Sequence, residues 1–174
     1  MSWNCHLFGS DHNQAAYGKR LNTIWILGGL VAFMVAGCAQ DDDPLSAFEH
    51  GDYQTACQLW RPMAESGDVN AQNYLGMMYY LGLGVSRDYG MAVKWYTIAA
   101  MHGNANAQRN LGTMYHEGLG VPQDYLQAYA WYYASEKQGN RRAGIYIQSL
   151  TGKLTPNQQM KARTLVQQYI SHGG

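Results

Sequence analysis

The chain has 174 residues, enough for about one domain. Its 12 basic and 12 acidic side chains cancel, which argues against a general nucleic-acid binder, because that function needs a basic excess or stripe. Apolar residues make up 47%, too many for a disordered tail, and three Cys in separate regions form neither a zinc set nor a disulfide framework.

The first element in the chain is an address. Lys19 and Arg20 precede an apolar run from Ile24 to Gly37, 14 residues long. A spanning helix needs about 20. A basic flank, a short apolar run and then small residues make a secretory signal. The ending Val35-Ala36-Gly37-Cys38 resembles a bacterial lipobox. That resemblance implies cleavage before Cys38, a diacylglyceryl group on its sulfur and an acyl group on the new amine. Two or more acyl chains give stable anchoring, where one is marginal. The alternative is an uncleaved anchor helix that contains a Cys. In the lipoproteins of double-membrane bacteria, Asp after the Cys retains the protein at the inner membrane. Here that residue is Ala39, so the expected location is the periplasmic side of the outer membrane. Residues 1–37 are read as the lipoprotein signal peptide. Residues 38–44, with Asp41-Asp42-Asp43-Pro44, are read as an acidic, solvated linker.

The remainder repeats itself. Residues 71–106 and 107–142 align at a shift of 36 with 17 of 36 positions identical. The shared pattern is A-Q-x-x-L-G-x-M-Y-x-x-G-L-G-V-x-x-D-Y-x-x-A-x-x-W-Y, with G-N following. A weaker copy precedes them: Asp52-Tyr53, Ala56, Ala64 and Gly67 match Asp88-Tyr89, Ala92, Ala100 and Gly103. Each copy reads as two helices. Ala71, Leu75, Met78 and Tyr79 have helical spacing, and Gly82-Leu83-Gly84-Val85 ends that helix. Asp88 is an expected N-cap for a second helix with the apolar stripe Ala92, Trp95, Tyr96 and Ala99. The second copy repeats this with Asp124, Ala128, Trp131 and Tyr132, and Gln127 completes a capping-box pattern with Asp124. Gly76 and Gly112 sit mid-helix, where Gly costs up to ~1 kcal/mol against Ala. Both copies keep it, which predicts a close helix–helix approach. Residues 141–150 read as a further first helix without its loop. Thr155, Pro156 and Gln158 then start a last helix, with Met160, Leu165 and Tyr169 expected to pack back on the array.

This pattern closely resembles the Sel-1-like repeat, an α/α-solenoid related to tetratricopeptide repeats. The residues that carry the resemblance are Ala71, Leu75-Gly76, Tyr79, Gly82-x-Gly84-Val85, Asp88, Ala92 and Trp95-Tyr96, with Ala107, Leu111-Gly112, Tyr115, Gly118-x-Gly120-Val121, Asp124, Ala128 and Trp131-Tyr132 as counterparts. The expected fold is therefore all-α, an α/α-solenoid of helix pairs over residues 45–174. It comprises a partial repeat 45–70, repeats 71–106 and 107–142, and a C-terminal cap 143–174. Single helix pairs cannot bury both faces, so such units occur stacked and capped.

No catalytic constellation stands out. His50, His102, His116 and His172 include no i, i+4 metal pair, and His116-Glu117 reads as a solvated surface pair. Cys57 reads as a buried small apolar thiol, with a reactive or partner-linked thiol as the alternative. No Gly-x-Gly has phosphate-loop length or its Lys. No catalytic residue, cofactor or metal is assigned. The shared aromatic stripe reads as core, so binding is sought where the copies differ. On the first helices the variable positions are Asn73, Met77 and Tyr80, then Arg109, Thr113 and His116, with Ile145 and Gln148 continuing the row. In helical-repeat arrays the first helices line the inner groove, which makes this row the candidate partner surface; the alternative is an ordinary solvated face. The functional expectation is a non-enzymatic, lipid-anchored adaptor for a protein or peptide partner in a bacterial envelope complex. A peptidoglycan-binding module using sugar-stacking aromatics is the alternative, and an envelope hydrolase is the third reading.

Overall fold

A computed structural model describes residues 43–172. The signal segment, Cys38 and the linker up to residue 42 lie outside the described residues. The described residues form eight α-helices: α1 (Pro44–Glu49), α2 (Tyr53–Glu65), α3 (Val69–Leu81), α4 (Tyr89–Met101), α5 (Ala105–Glu117), α6 (Tyr125–Lys137), α7 (Arg141–Leu150) and α8 (Pro156–His172). Pairs α3–α4 and α5–α6 are the two full repeats, and α1–α2 is the shortened first one.

Local chemistry starts each helix. Asp43, Asp52, Asp68, Asp88, Asn104, Asp124 and Asn140 are the N-caps of α1 to α7, each accepting backbone N–H bonds from the first turn. Such a cap contributes about 1 kcal/mol against Ala. Asp43 is thus a cap, and Pro44 the first helical residue, where a free spacer was expected from the acidic run. The caps at Asp68 and Asn104 start the first helices two residues before the repeat frame read from sequence identity. Helices α3 and α5 end at Gly82 and Gly118, both left-handed (φ 75° and 71°), whose N–H groups donate to Met78 O and Met114 O. A left-handed C-terminal residue is a low-strain role for Gly.

Successive helices from α1 to α7 pack on one another, so each second helix is held between the first helix of its own repeat and that of the next. The contacts are built from alanines and rings. Ala56, Ala92 and Ala128 are wholly buried at equivalent places, and so are Tyr96 and Tyr132 to within 2%. Gly76 and Gly112 explain how the helices come so close. A Cβ at either would lie 2.6 Å from the ring of Tyr96 or Tyr132 respectively. The loop glycines have a matching role between repeats. Gly84 rests on the Tyr53 backbone and Gly120 on the Tyr89 backbone, at the starts of the preceding second helices.

Polar links tie neighbouring repeats at fixed register. Gln72 and Gln108, both buried, donate through Nε2 to Ala64 O (3.1 Å) and Ala100 O (3.0 Å), carbonyls near the ends of α2 and α4. The same carbonyls accept from Gly67 N–H (3.1 Å) and Gly103 N–H (3.0 Å), so each glutamine joins a helix end already closed by its own turn. Asn104 donates to Asn70 Oδ1 (3.1 Å) and Asn140 to Asn106 Oδ1 (3.2 Å).

The array ends by changing partners. The next position in the Gln series is Gly144, where a Cβ would meet Glu136 Oε1 at 2.9 Å. Over Tyr125, where the next loop would rest, Lys153 donates to the hydroxyl (3.0 Å) with its ammonium 4.2 Å from the ring centre. Helix α8 begins with a complete capping box: Thr155 N–H donates to Gln158 Oε1 (2.8 Å), and Gln158 N–H to Thr155 Oγ1 (3.3 Å). It lies chiefly against α6, rather than pairing with α7 as α6 pairs with α5. Tyr169 stacks on Trp131 (5.7 Å, 9°), and Arg163 donates to Tyr129 Oη (2.8 Å). Of the residues expected to pack back, Tyr169 does so and Leu165 is half-buried, but Met160 is 63% exposed. Ala162 and Val166 fill that role instead. The expected capping box at Asp124 is half formed: Gln127 N–H donates to Asp124 Oδ1 (3.0 Å), but Asp124 N–H donates to Tyr115 O (2.9 Å) and the Gln127 side-chain amide to Tyr169 Oη (3.2 Å). The N–H that the second half of the box would use is held by a carbonyl of α5. Cys57 is buried, as a small core thiol would be.

Candidate partner-binding groove

The repeat places a row of aromatic pairs between second helices and the first helices that follow. Trp60 of α2 stacks on Tyr74 of α3, with centroids 4.3 Å apart and planes at 3°. Tyr132 of α6 stacks on Tyr146 of α7 at 4.9 Å and 15°. Positions 74, 110 and 146 are equivalent, and the middle one is Asn110. Tyr96 of α4 therefore faces an amide where its counterparts face rings. A hollow of about 280 Å³ opens there, lined by Met77, Tyr80 and Leu81 of α3, Tyr96, then Arg109, Asn110, Thr113 and Met114 of α5, and Tyr146.

Four of the six candidate binding residues meet in this hollow: Met77, Tyr80, Arg109 and Thr113. They come from two first helices one repeat apart, which is why spacing within a helix and the 36-residue shift both select them. Asn73 is half-buried and accepts a hydrogen bond from Asn110 Nδ2 (3.3 Å), fixing the amide toward α3. His116 lies outside the lining. Its ring meets Tyr125 and Tyr132 edge-on (5.7 and 6.2 Å), with Nδ1 3.5 Å from Tyr132 Oη. It is thus half-buried in an aromatic cluster, where a solvated pair with Glu117 was expected. Ile145 is 67% exposed and Gln148 is also exposed, and neither lines the hollow. Tyr146, one residue along, supplies the α7 wall. Comparing positions 74, 110 and 146 down the copies gives Tyr, Asn, Tyr, and that was the available signal.

Tyr96 behaves as core and as floor at once. Burial pushes its hydroxyl pKa well above the ordinary value, and the Arg109 charge acts in the opposite direction. Burial likewise raises the Tyr132 pKa to about 12. The Tyr132 hydroxyl donates to Thr113 Oγ1 (3.2 Å). Arg109 is the only ionised side chain in the lining, and it also borders a second hollow of about 410 Å³, formed with Asn106, Gln138, Asn140, Arg141 and Arg142. No carboxylate lines either hollow. The joint surface offers rings at one end and guanidinium groups at the other. Among the described residues, no three His, Cys, Asp or Glu side chains gather as a metal site, and no helix is long and apolar enough to cross a membrane.

This architecture has known counterparts. The Sel1 repeat profile matches residues 69–104 and 105–140, the frame that the caps Asp68 and Asn104 define. A protective antigen present in uropathogenic Escherichia coli strains, displaying an SLR fold, is 34% identical with a TM-score of 0.68 over 76% of this chain. A Sel1 repeat protein from Oxalobacter formigenes is 26% identical with a TM-score of 0.60 over 75% of this chain. The matches span 29% and 53% of those two chains, so this chain corresponds to only part of each. No curated protein sequence matches significantly. Sel1 repeats generally mediate protein–protein interaction and form a typically non-catalytic scaffold. Residues 69–140 are thus two Sel1 repeats, the helix pairs α3–α4 and α5–α6, with α1–α2, α7 and α8 packed onto the same helical array.

Proposed function

We propose that this protein is a lipid-anchored, non-enzymatic adaptor on the periplasmic face of the outer membrane, holding a protein or peptide partner in a cell-envelope complex. The observation that carries the partner-binding reading is the convergence of Met77, Tyr80, Arg109 and Thr113 on one hollow between consecutive first helices. Aromatic residues, Met and Arg are the types enriched at interface cores. The anchoring reading rests on Lys19, Arg20, the short apolar run and Cys38. A protective antigen among the similar structures is compatible with a place in the envelope.

Photo-crosslinking in intact cells tests the adaptor reading. A reactive residue at Tyr80 or Arg109 should give a discrete protein adduct, while one at the exposed Lys94 of α4 should not. Adducts to wall glycan alone would refute the reading.

A further inference from the structure

We infer that the hollow over Tyr96 is a socket for one aromatic side chain of an acidic peptide, with Arg109 and the adjoining arginines receiving the peptide's carboxylates. The inference rests on the groove reading above and specifies its ligand.

The fold itself provides the template. In the repeats on either side, a ring of the following first helix lies flat on the ring of the second helix: Tyr74 on Trp60, and Tyr146 on Tyr132. Tyr96 shares with Tyr132 the glycine that admits its ring, Gly76 for Gly112, but Asn110 stands where the partner ring would be. The Asn110 amide is drawn toward Asn73. What remains is the space of the missing ring, walled by Met77, Tyr80 and Tyr146. At about 280 Å³ it falls just below the roughly 300–1,000 Å³ of sites that enclose a whole small ligand. It suits one side chain entering from a longer partner. Offset-stacked ring pairs are favoured beyond the area they bury, so the socket selects a ring over an aliphatic chain of similar size.

Charge selects the flanks of that side chain. Arg109 borders the socket and the second hollow, across which stand Arg141 and Arg142. No Asp or Glu lines either hollow beside Arg109. Guanidinium groups match carboxylates in bidentate geometry. A segment with an aromatic residue between Asp or Glu residues fits both features; a neutral glycan fits only the first.

Fluorescence polarisation on the full chain in detergent tests this with labelled peptides centred on Asp-Phe-Glu, Asp-Ala-Glu or Asn-Phe-Gln. Asp-Phe-Glu should bind best, with loss of the ring costing at least about tenfold. Asn110→Tyr should supply the missing ring from within and weaken Asp-Phe-Glu binding by about tenfold or more. Asn110→Ala, which leaves the socket open, should retain binding and so separates occlusion from loss of the Asn110 amide. Arg109→Gln should weaken it about two- to fivefold and abolish the advantage over Asn-Phe-Gln. Unfolding midpoints of the variants verify that each is folded. Equal binding of the Ala-centred peptide, undiminished binding by a folded Asn110→Tyr variant, or preference for soluble peptidoglycan fragments would overturn the socket. If the peptides fail while Tyr80 still crosslinks to a protein in cells, the socket is wrong and the groove stands. If both fail, the groove reading falls with it.

Discussion

The two mid-helix glycines make a paired experiment. A Cβ at Gly76 would lie 2.6 Å from the Tyr96 ring, and one at Gly112 would lie 2.6 Å from the Tyr132 ring. Carbon atoms prefer about 3.5–4.0 Å, so either ring must retreat by roughly 1 Å. Alanine returns up to ~1 kcal/mol of helix propensity in both cases. The difference lies behind the ring. Tyr132 is wholly buried, stacked on Tyr146 at 4.9 Å and donating to Thr113 Oγ1 at 3.2 Å. Overpacking such a site costs about 1–3 kcal/mol. Tyr96 instead backs onto the hollow beside Asn110 and can move into it. Gly112→Ala should therefore lose up to about 2 kcal/mol after the propensity gain, and more than Gly76→Ala, which should stay within about 0.5 kcal/mol of the parent. Urea unfolding followed by far-ultraviolet circular dichroism measures both, and unchanged m-values would license the comparison. Equal losses, or a larger loss for Gly76→Ala, would refute the claim that the repeats differ by a missing ring. A ring pushed into the socket should also weaken peptide binding in Gly76→Ala.

Cys38→Ser should abolish incorporation of labelled palmitate and move the protein from the membrane to the soluble fraction; undiminished labelling would remove the lipid anchor from the proposal. Stability should fall as pH rises from about 10 to 12. The unfolded tyrosines ionise near 10, while the buried Tyr132 holds its proton to about 12, so above pH 10 the unfolded state binds fewer protons and gains on the folded one. Denaturant midpoints across that range measure the drop, and Tyr132→Phe should make it shallower; an unchanged slope would show that Tyr132 is not the group responsible. Removing residues 156–174 should uncover Tyr129 and Trp131, now covered by Arg163 and Tyr169, and produce an aggregation-prone chain; a monomer of parental stability by sedimentation and unfolding would mean that α8 is not the cap.

The sequence by itself determined the repeat, the helices and four of the residues that line the hollow. A 36-residue shift, Asx caps and the Gly-x-Gly-Val loop act through bonds between residues a few positions apart, so they are legible in one dimension. The same comparison selected Met77, Tyr80, Arg109 and Thr113, because variation between copies marks positions that the shared scaffold does not need. Tertiary structure decided the rest. That the Asp124 N–H goes to Tyr115 O and the Gln127 side chain to Tyr169 Oη depends on where α5 and α8 lie, and His116 is drawn into a cluster by Tyr125 and Tyr132 from another helix. The hollow depends on two residues on different helices, Tyr96 and Asn110. Neither is unusual alone, and the space appears only when packing sets one opposite the other and a neighbouring pair shows what normally fills it.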